Sequence, residues 1–319
     1  MPRTFPNRHF LPAALLALIV WSAIGYRASA QTDDLRPAAT FRTSTAEVRI
    51  TFSTTDQNDR VMATVQPSDF AIVDRDLVVR EFRSFTRSEY TRLNIALLVD
   101  SSGSVTPQFQ QEVANVLHVI GEISGVPEGD VSVISFRDLK PAVVCAGNCR
   151  TSDTLAKFFA AKDGGLTPLY DSTVFASRYL ANRHDEANGD TGRARRILIV
   201  FSDGLDTISL KSFPDVVQEA LRDEITIYAV DVSRSHGSRG TQVLRSFALK
   251  TGGRYFPIEA GSAKITDAIL EDFRATYIVA YKLPKYTTGF HEVRILPTRN
   301  LGLQFHCRLG YYYPSDAGD

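Results

Sequence analysis

Four short, predominantly apolar segments, separated by segments with helical periodicity, constrain the fold of this chain more than any other feature. A strand that is apolar at nearly every position is typical of a parallel sheet covered on both faces. After the first of them, Val113, Val116, Leu117 and Ile120 have the spacing of a helix with one buried face. Strands alternating with helices predict a doubly wound, mostly parallel α/β sheet flanked by helices over about residues 92–275. The predicted core strands cover residues 95–99, 131–136, 197–201 and 225–230.

The segments between these strands predict further helices. Pro214 suits the first turn of one helix, which runs through Glu224. Gly252 favours the end of a second helix, which directly precedes this glycine. The other predicted helices cover residues 153–162, 169–182 and 263–274, and a short strand covers 254–256.

Both flanks of the α/β region contain runs in which apolar and polar residues alternate, the pattern of half-buried strands. The N-terminal runs lie within residues 41–90. The C-terminal runs are TYIVAYKL (276–283), FHEVRIL (290–296) and LQFHCRLGYYY (303–313). We therefore predict a small β unit in which strands from the N- and C-terminal flanks pack together.

The first 30 residues have the composition of a secretory signal peptide. Arg3 and Arg8 precede a short apolar run over residues 10–24, and residues 28–30 (Ala-Ser-Ala) form an A-x-A cleavage site. The apolar run is short for a membrane-spanning helix, which needs roughly 17–25 residues, so cleavage is favoured over an uncleaved anchor. The pattern predicts export to the periplasm or the medium, with no transmembrane span after cleavage.

The predicted organisation is a signal peptide over residues 1–30, a leader and N-terminal β segment over 31–91, the α/β domain over 92–275 and a C-terminal β segment over 276–319. Basic and acidic residues number 36 each, so the chain lacks the positive footprint of a nucleic-acid-binding protein, and we expect no nucleic-acid partner.

Three cysteines remain in a chain predicted to be exported, where disulfides are permitted. Cys145 and Cys149 lie four positions apart in VVCAGNCR, which has the composition of a loop. A local disulfide fits this spacing better than a zinc site, because no second Cys or His pair has matching spacing. Two free thiols are the alternative, and Cys307 is predicted to be an unpaired strand residue.

Oxygen-bearing side chains follow two predicted core strands and occupy one further loop. Asp100, Ser102 and Ser104 follow the first core strand, Thr167 lies in the loop GGLTPLYD, and Asp203 follows the strand over residues 197–201. Each group alone is explained by helix capping or a turn. Ligands of parallel α/β sheets bind at the carboxyl ends of the strands, so the three groups together predict a metal site. Hydroxyl and carboxylate oxygens suit Mg²⁺, Mn²⁺ or Ca²⁺ rather than copper or zinc.

The segment DSSGS (100–104) has the D-x-S-x-S pattern of the metal-ion-dependent adhesion site of von Willebrand factor A-type (integrin I-type) domains. Thr167 resembles the threonine ligand of that family, and Asp203 resembles its later aspartate after a buried strand. The resemblance covers about residues 92–275. The flanks, with FRTSTAEVRITFS, PSDFAIVDRD and the closing RLGYYYP, look like those of a bacterial exported subgroup.

The resemblance implies that Ser102, Ser104 and Thr167 contact the cation directly or through water, while Asp100 and Asp203 often orient waters and hydroxyls. Mg²⁺ normally retains waters, and an open position of this kind accepts a carboxylate from a protein partner. The expected function is therefore exported, divalent-metal-dependent protein binding of the adhesion type. Other nearby acids are expected to be surface, capping or structural residues: Asp163, Asp171, Asp206 and Asp231.

Two other functions compete with this one. The chain could be a metal-stabilised scaffold whose β flanks bind the partner, or it could be a hydrolase. The G-x-S-x-G elbow, the H-E-x-x-H zinc motif and the G-x-x-x-x-G-K-[ST] phosphate loop are all absent from the sequence. No general base is evident beside the predicted metal. We therefore expect no enzymatic activity.

Overall fold

The structure is a computed structural model of the 319-residue chain. It describes residues 47–58, 60–62, 64–88, 92–102, 113–118, 121, 130–138, 140–147, 149, 165–183, 194–233, 237–283 and 288–313. These all belong to one compact unit, Ser44–Asp319. The predicted signal peptide, the leader up to residue 46 and the predicted helix over 153–162 lie outside the described residues.

The strands are β1 (Glu47–Thr55), β2 (Phe70–Asp74), β3 (Leu77–Val79), β4 (Phe82–Arg87), β5 (Leu93–Asp100), β6 (Val131–Phe136), β7 (Ala142–Ala146), β8 (Arg195–Ser202), β9 (Ile225–Asp231), β10 (Tyr255–Pro257), β11 (Tyr277–Lys282), β12 (Gly289–Pro297), β13 (Gln304–Cys307) and β14 (Gly310–Tyr313). Residues 113–118 are helical (α1). The other helices are α2 (Leu169–Asn182), α3 (Phe213–Arg222), α4 (Arg239–Thr251) and α5 (Ser262–Arg274).

A six-stranded sheet forms the centre of the α/β region, in the order β10-β9-β8-β5-β6-β7. Its strands are parallel except for β7, which runs antiparallel to β6 at the edge. All eight residues of β5 are buried, because helices cover both faces of the sheet. The predicted doubly wound, mostly parallel α/β fold is confirmed.

The two faces of the central sheet have separate cores. On β5, Ile95 and Leu97 pack in a cluster with residues of α1 and α5, while Ala96 and Leu98 pack in another with residues of α2, α3 and α4. Successive side chains of a strand point to opposite faces, so one apolar strand supplies both cores.

The two β flanks form a sandwich of two four-stranded antiparallel sheets, ordered β13-β1-β11-β4 and β14-β12-β2-β3. In each sheet an N-terminal strand pairs with a C-terminal one: β1 with β11, and β2 with β12. Between the sheets, Phe52 contacts Phe70 edge to face, with ring centroids 5.1 Å apart, and both belong to one buried cluster. The expected β unit built from both flanks is therefore present.

Two predicted segments differ from the structure. The run over residues 303–313 forms two strands in different sheets, β13 and β14. Around the break the Leu309 N–H donates to the carbonyl of Lys250 at the end of α4, so a contact outside the sheets interrupts the strand. Residues 142–146, part of a predicted loop, form β7 because β6 offers its free edge as a pairing partner.

The cysteines are arranged as one bonded pair and one thiol. Cys145 in β7 forms a disulfide with Cys149, whose side chain is buried in the core shared with α1. Cys307 is free, and burial raises the pKa of its thiol to about 11. No helix among the described residues has the length and apolar character needed to cross a bilayer.

Candidate metal centre

Asp100 is the last residue of β5, and its carboxylate is buried at the carboxyl edge of the central sheet, with 1% of the residue exposed. Its Oδ1 accepts a hydrogen bond from the backbone N–H of Ser102 at 3.0 Å. Its Oδ2 accepts one from the hydroxyl of Ser202, the last residue of β8, also at 3.0 Å. The carboxylate is therefore held in one orientation by two neighbouring strand ends.

The electrostatic surroundings of Asp100 disfavour its negative charge. Burial raises the pKa of the Asp100 carboxyl, hydrogen bonds from Ser102 and Ser202 oppose that shift, and the negative charge of Asp203 adds to it. Asp203 directly follows β8, the neighbour of β5 in the central sheet. A cation between the two carboxylates would relieve both the desolvation and the repulsion.

The loop after β5 is attached to the neighbouring strand. The Ser101 N–H donates to the carbonyl of Phe136 at 3.1 Å, and the Ser101 hydroxyl lies 3.0 Å from that of Ser135. Ser101 thus faces β6, while Ser102, which is 7% exposed, bonds back to Asp100. Ser104 lies outside the described residues.

Thr207 joins the loop of Thr167 to the loop of Asp203. The Thr167 N–H donates to the Thr207 hydroxyl at 2.7 Å, and the Thr207 N–H donates to the Thr167 carbonyl at 2.9 Å. These two bonds hold together loops that are 40 residues apart in the sequence. Thr167 is 8% exposed.

Asp203 follows β8 in a turn that requires glycine. Gly204 has a φ of +76°, and a Cβ atom there would lie 2.2 Å from the carbonyl oxygen of Gly240 in the first turn of α4. Oδ1 of Asp203 accepts from the Leu205 N–H at 2.9 Å. Among the residues that the structure describes, no hydrogen bond is found to Oδ2 of Asp203 or to the hydroxyl of Thr167.

The neighbouring acids have structural contacts, as predicted for three of them. Asp206 accepts from the Tyr170 N–H at 3.1 Å and so caps α2. Asp171 accepts from the Lys211 N–H at 2.7 Å. Asp231 is buried and accepts from the Tyr255 hydroxyl at 2.8 Å. Asp163 lies outside the described residues.

The donor chemistry at this edge fits a hard divalent cation. Hydroxyl and carboxylate oxygens are the ligands that Mg²⁺, Mn²⁺ and Ca²⁺ prefer. Within the described part of the chain, no group of three or more His, Cys, Asp or Glu side chains is placed to hold a metal. A site built on two carboxylates and several hydroxyls has too few acids to form such a group. The assignment of Asp100, Ser102, Ser104, Thr167 and Asp203 as metal ligands stays a prediction.

Three residues to which the sequence assigned no role organise the edge: Ser202, Thr207 and Gly240. Ser202 could have been noticed as a polar residue at the end of a wholly buried strand. Thr207 and Gly240 carry no comparable signal, because their importance depends on loops that meet only in the folded chain.

A doubly wound α/β domain with acids and hydroxyls gathered at the carboxyl edge of its sheet defines a class of ligand-binding domains. The sequence profile of the von Willebrand factor type A domain matches residues 94–270, more than half of the chain. The chain belongs to the von Willebrand factor type A domain family, whose members commonly mediate protein–protein interaction.

Several solved structures are similar to part of this chain at low sequence identity. Proximal thread matrix protein 1 from the mussel byssus is 14% identical over 63% of this chain and 51% of its own, with a TM-score of 0.46. A von Willebrand factor type A protein from Catenulispora acidiphila is 11% identical over 80% of this chain and 76% of its own, with a TM-score of 0.42. An aerotolerance-related membrane protein from Bacteroides fragilis is 13% identical over 57% of this chain and 98% of its own, with a TM-score of 0.40. No curated protein sequence gives a significant match.

Proposed function

We propose that this protein is an exported binding module that holds one divalent cation, Mg²⁺ or alternatively Mn²⁺ or Ca²⁺, and uses it to bind a carboxylate of a protein partner. The observation that supports the proposal most directly is the position of Asp100, buried at the end of β5 beside the end of β8, which Asp203 follows. Burial raises the pKa of the Asp100 carboxyl and the negative charge of Asp203 adds to that shift, so a cation at this edge would stabilise the ionised acids.

The proposed ligands are Asp100, Ser102, Ser104, Thr167 and Asp203. Two carboxylates balance a divalent charge without filling six coordination positions, and Mg²⁺ keeps waters in the remainder. A partner's carboxylate would replace one of these waters.

Exposed apolar side chains beside the site favour a protein over a small ion as the partner. Leu166 precedes Thr167 and is 50% exposed, Leu205 follows Asp203 by two positions and is 46% exposed, and Leu210 is 95% exposed. Apolar groups around a polar centre are typical of protein-binding surfaces. We expect the partner to present its carboxylate next to apolar side chains.

Two of the described histidines have partners in the β sandwich. His291 lies 3.0 Å from Asp74 and His306 lies 2.8 Å from Thr55, both in the β sandwich rather than at the metal edge. His118 lies in α1.

The first experiment is calorimetric titration of Mg²⁺ and Mn²⁺ into residues 31–319, beside the Asp100→Ala/Ser102→Ala double variant. Ser101→Ala is the matched control, because it removes a neighbouring hydroxyl that bonds Ser135 rather than Asp100. We expect one site in the native chain and in Ser101→Ala, and none in the double variant. Absence of metal binding to the native chain, in the presence and absence of a free carboxylate such as acetate, would refute the proposal.

Partner capture with and without chelator separates this function from that of a scaffold. Loss of capture on chelation supports a metal-dependent binder. A lower melting temperature with unchanged capture would instead favour a metal-stabilised scaffold that binds through its β flanks. Export is tested separately by sequencing the N-terminus of the protein produced in cells, which we expect to begin at Gln31.

A further inference from the structure

A second feature lies at the opposite edge of the central sheet. There the amino-terminal ends of β8 and β9 meet β1 of the sandwich, and a cleft with a cavity volume of about 80 Å³ lies between them. This volume holds several water molecules. The eight residues of β8 span roughly 23 Å, so the cleft is remote from the metal edge, where β8 ends.

Four arginines from three parts of the chain line this cleft. Arg49 lies on β1, Arg195 and Arg196 begin β8, and Arg308 lies between β13 and β14. Glu224 is the one acid among the lining residues that the structure describes. Arg49 also pairs with Glu47 at 3.5 Å, outside the lining, so the lining itself holds four arginines and one acid.

The Arg308 guanidinium is nearly buried and incompletely bonded. Its side chain is 11% exposed, one terminal nitrogen lies 3.4 Å from Glu224, and the other donates to the carbonyl of Arg49 at 2.7 Å. Its Nε–H is buried and has no acceptor among the described residues. Buried N–H donors without acceptors are rare, and a bound ion or water is the usual explanation.

Arg195 and Arg196 bring further positive charge without a direct carboxylate partner. Arg195 donates to the Ser88 hydroxyl at 3.0 Å, and Arg196 donates to the Asp223 carbonyl at 3.0 Å. Among the residues that the structure describes, neither guanidinium lies within ion-pair distance of a carboxylate. Burial lowers the pKa of Arg195, while Tyr228 and the negative charge of Asp272 oppose that shift.

From this arrangement we infer that the arginine cleft, defined by Arg49, Arg195, Arg196 and Arg308, binds a phosphate-class oxyanion. Guanidinium groups donate pairs of hydrogen bonds to the oxygens of phosphate, and their charge is permanent. Guanidinium groups that come from different strands suit a tetrahedral anion, whose oxygens accept from more than one direction. The ligand is either free inorganic phosphate or the phosphate of a lipid headgroup.

The test is calorimetric titration of inorganic phosphate into residues 31–319 at constant ionic strength, with chloride as the reference anion. The variants are Arg49→Gln and Arg196→Gln. Arg49 is 56% exposed, so its replacement should not prevent folding. Arg294→Gln is the matched control, because Arg294 is 53% exposed on β12 and pairs with Asp76 outside the cleft. Each cleft variant should lower phosphate affinity about tenfold, the expected effect of one charge-assisted hydrogen bond.

Vesicle sedimentation distinguishes the two sources. Binding to phosphatidylglycerol vesicles but not phosphatidylcholine vesicles, reduced by Arg49→Gln and unchanged by Arg294→Gln, assigns a lipid headgroup. Phosphate binding without vesicle binding would identify the ligand as free inorganic phosphate. The inference is overturned when phosphate gives no saturable binding, or when Arg294→Gln weakens binding as much as the cleft variants do. Asp100→Ala should leave phosphate binding unchanged, so this result is independent of the proposed metal site.

Discussion

The Ser202 hydroxyl donates a hydrogen bond of 3.0 Å to Oδ2 of Asp100, although the two residues are 102 positions apart in the sequence. They are the last residues of β8 and β5, which are neighbours in the central sheet. The same hydroxyl accepts from the Gly204 N–H at 3.1 Å. One buried hydroxyl therefore sets the position of the Asp100 carboxylate relative to the turn that carries Asp203.

Ser202→Ala is expected to lower the Mg²⁺ affinity of the protein by at least tenfold, because residues that orient metal ligands typically contribute 10–100-fold to affinity. Calorimetric titration measures the effect. Ser177→Ala is the control, since Ser177 is equally buried and its hydroxyl donates to the Thr173 carbonyl within α2. Both variants should lose about 1 kcal/mol of stability, but only Ser202→Ala should lose metal affinity. Equal metal affinity in the two variants would contradict the role given to Ser202.

Asp100→Asn is expected to raise the melting temperature of the metal-free protein at pH 7 by a few degrees and to abolish stabilisation by Mg²⁺. Burial raises the pKa of Asp100 in the folded state, so the ionised form is destabilising above the pKa that it has when unfolded. An amide removes that charge and keeps an oxygen for the Ser102 N–H. Differential scanning fluorimetry with chelator, and then with Mg²⁺, measures both effects.

Asp215→Asn should behave in the opposite way to Asp100→Asn. Asp215 accepts hydrogen bonds from Ser212 at the start of α3, and these contacts lower its pKa. Its ionised form therefore stabilises the fold, and the amide should lower the melting temperature at pH 7. A stabilised Asp215→Asn protein would contradict the role of the Ser212 hydrogen bonds, and a destabilised metal-free Asp100→Asn protein would contradict the role of burial at Asp100.

Asp272 should make stability fall as the pH rises from about 4 to about 6. Burial raises the pKa of this carboxyl from 3.8 to about 6, despite its ion pair with Arg254 at 3.2 Å. The folded state therefore binds more protons than the unfolded state in this window, and its stability decreases with increasing pH. Relative to Asp272→Asn, the native protein should lose up to roughly 3 kcal/mol between these pH values and nothing further above them.

Urea unfolding of the native protein and of Asp272→Asn at several pH values measures this difference. Asp272→Asn also removes the carboxylate that pairs with Arg254, so the absolute stability of the variant is not informative. The informative quantity is how the difference in stability between the two proteins changes with pH. A constant difference from pH 4 to pH 7 would contradict the prediction.

Asp74→Asn is expected to destabilise the β sandwich by about 2 kcal/mol, because it disturbs a buried hydrogen-bond network. Oδ2 of Asp74 accepts from the hydroxyls of Tyr281 at 2.9 Å and Tyr311 at 2.7 Å, and Oδ1 lies 3.0 Å from Nδ1 of His291. An amide nitrogen in place of Oδ2 would face two hydroxyl donors. The free energy of unfolding in urea measures the loss.

Asp76→Asn is the control for this variant. Asp76 is two positions along the same hairpin, 89% exposed, and paired with Arg294 at the surface. Exposed pairs contribute roughly 0–1 kcal/mol, so this substitution should have a small effect. Similar losses in the two variants would mean that the buried network adds nothing to the stability of the sandwich.

The sequence was most informative where local pattern and burial coincide. Because β5 and β8 are buried on both faces, their apolar runs identified them as strands, and α2 begins and ends at the predicted residues. Residues 143–146 were wrongly predicted to be loop, and the break between the two strands within residues 303–313 was not predicted, because both features depend on distant partners. The edge of β6 makes β7 a strand, and contacts around Leu309 divide the last run into two.

The sequence alone determined the order of strands and helices, the membership of the von Willebrand factor type A domain family and the residue types at the strand ends. Each of these is a property of local composition and spacing. Tertiary structure decided which of these residues meet. Ser202 contacts Asp100, and Thr207 joins the loops of Thr167 and Asp203, through contacts between residues far apart in the chain. A local sequence pattern does not indicate which distant residues come into contact. The arginine cleft has the same origin, because its side chains come together only when β1, β8 and the β13–β14 connection pack against one another.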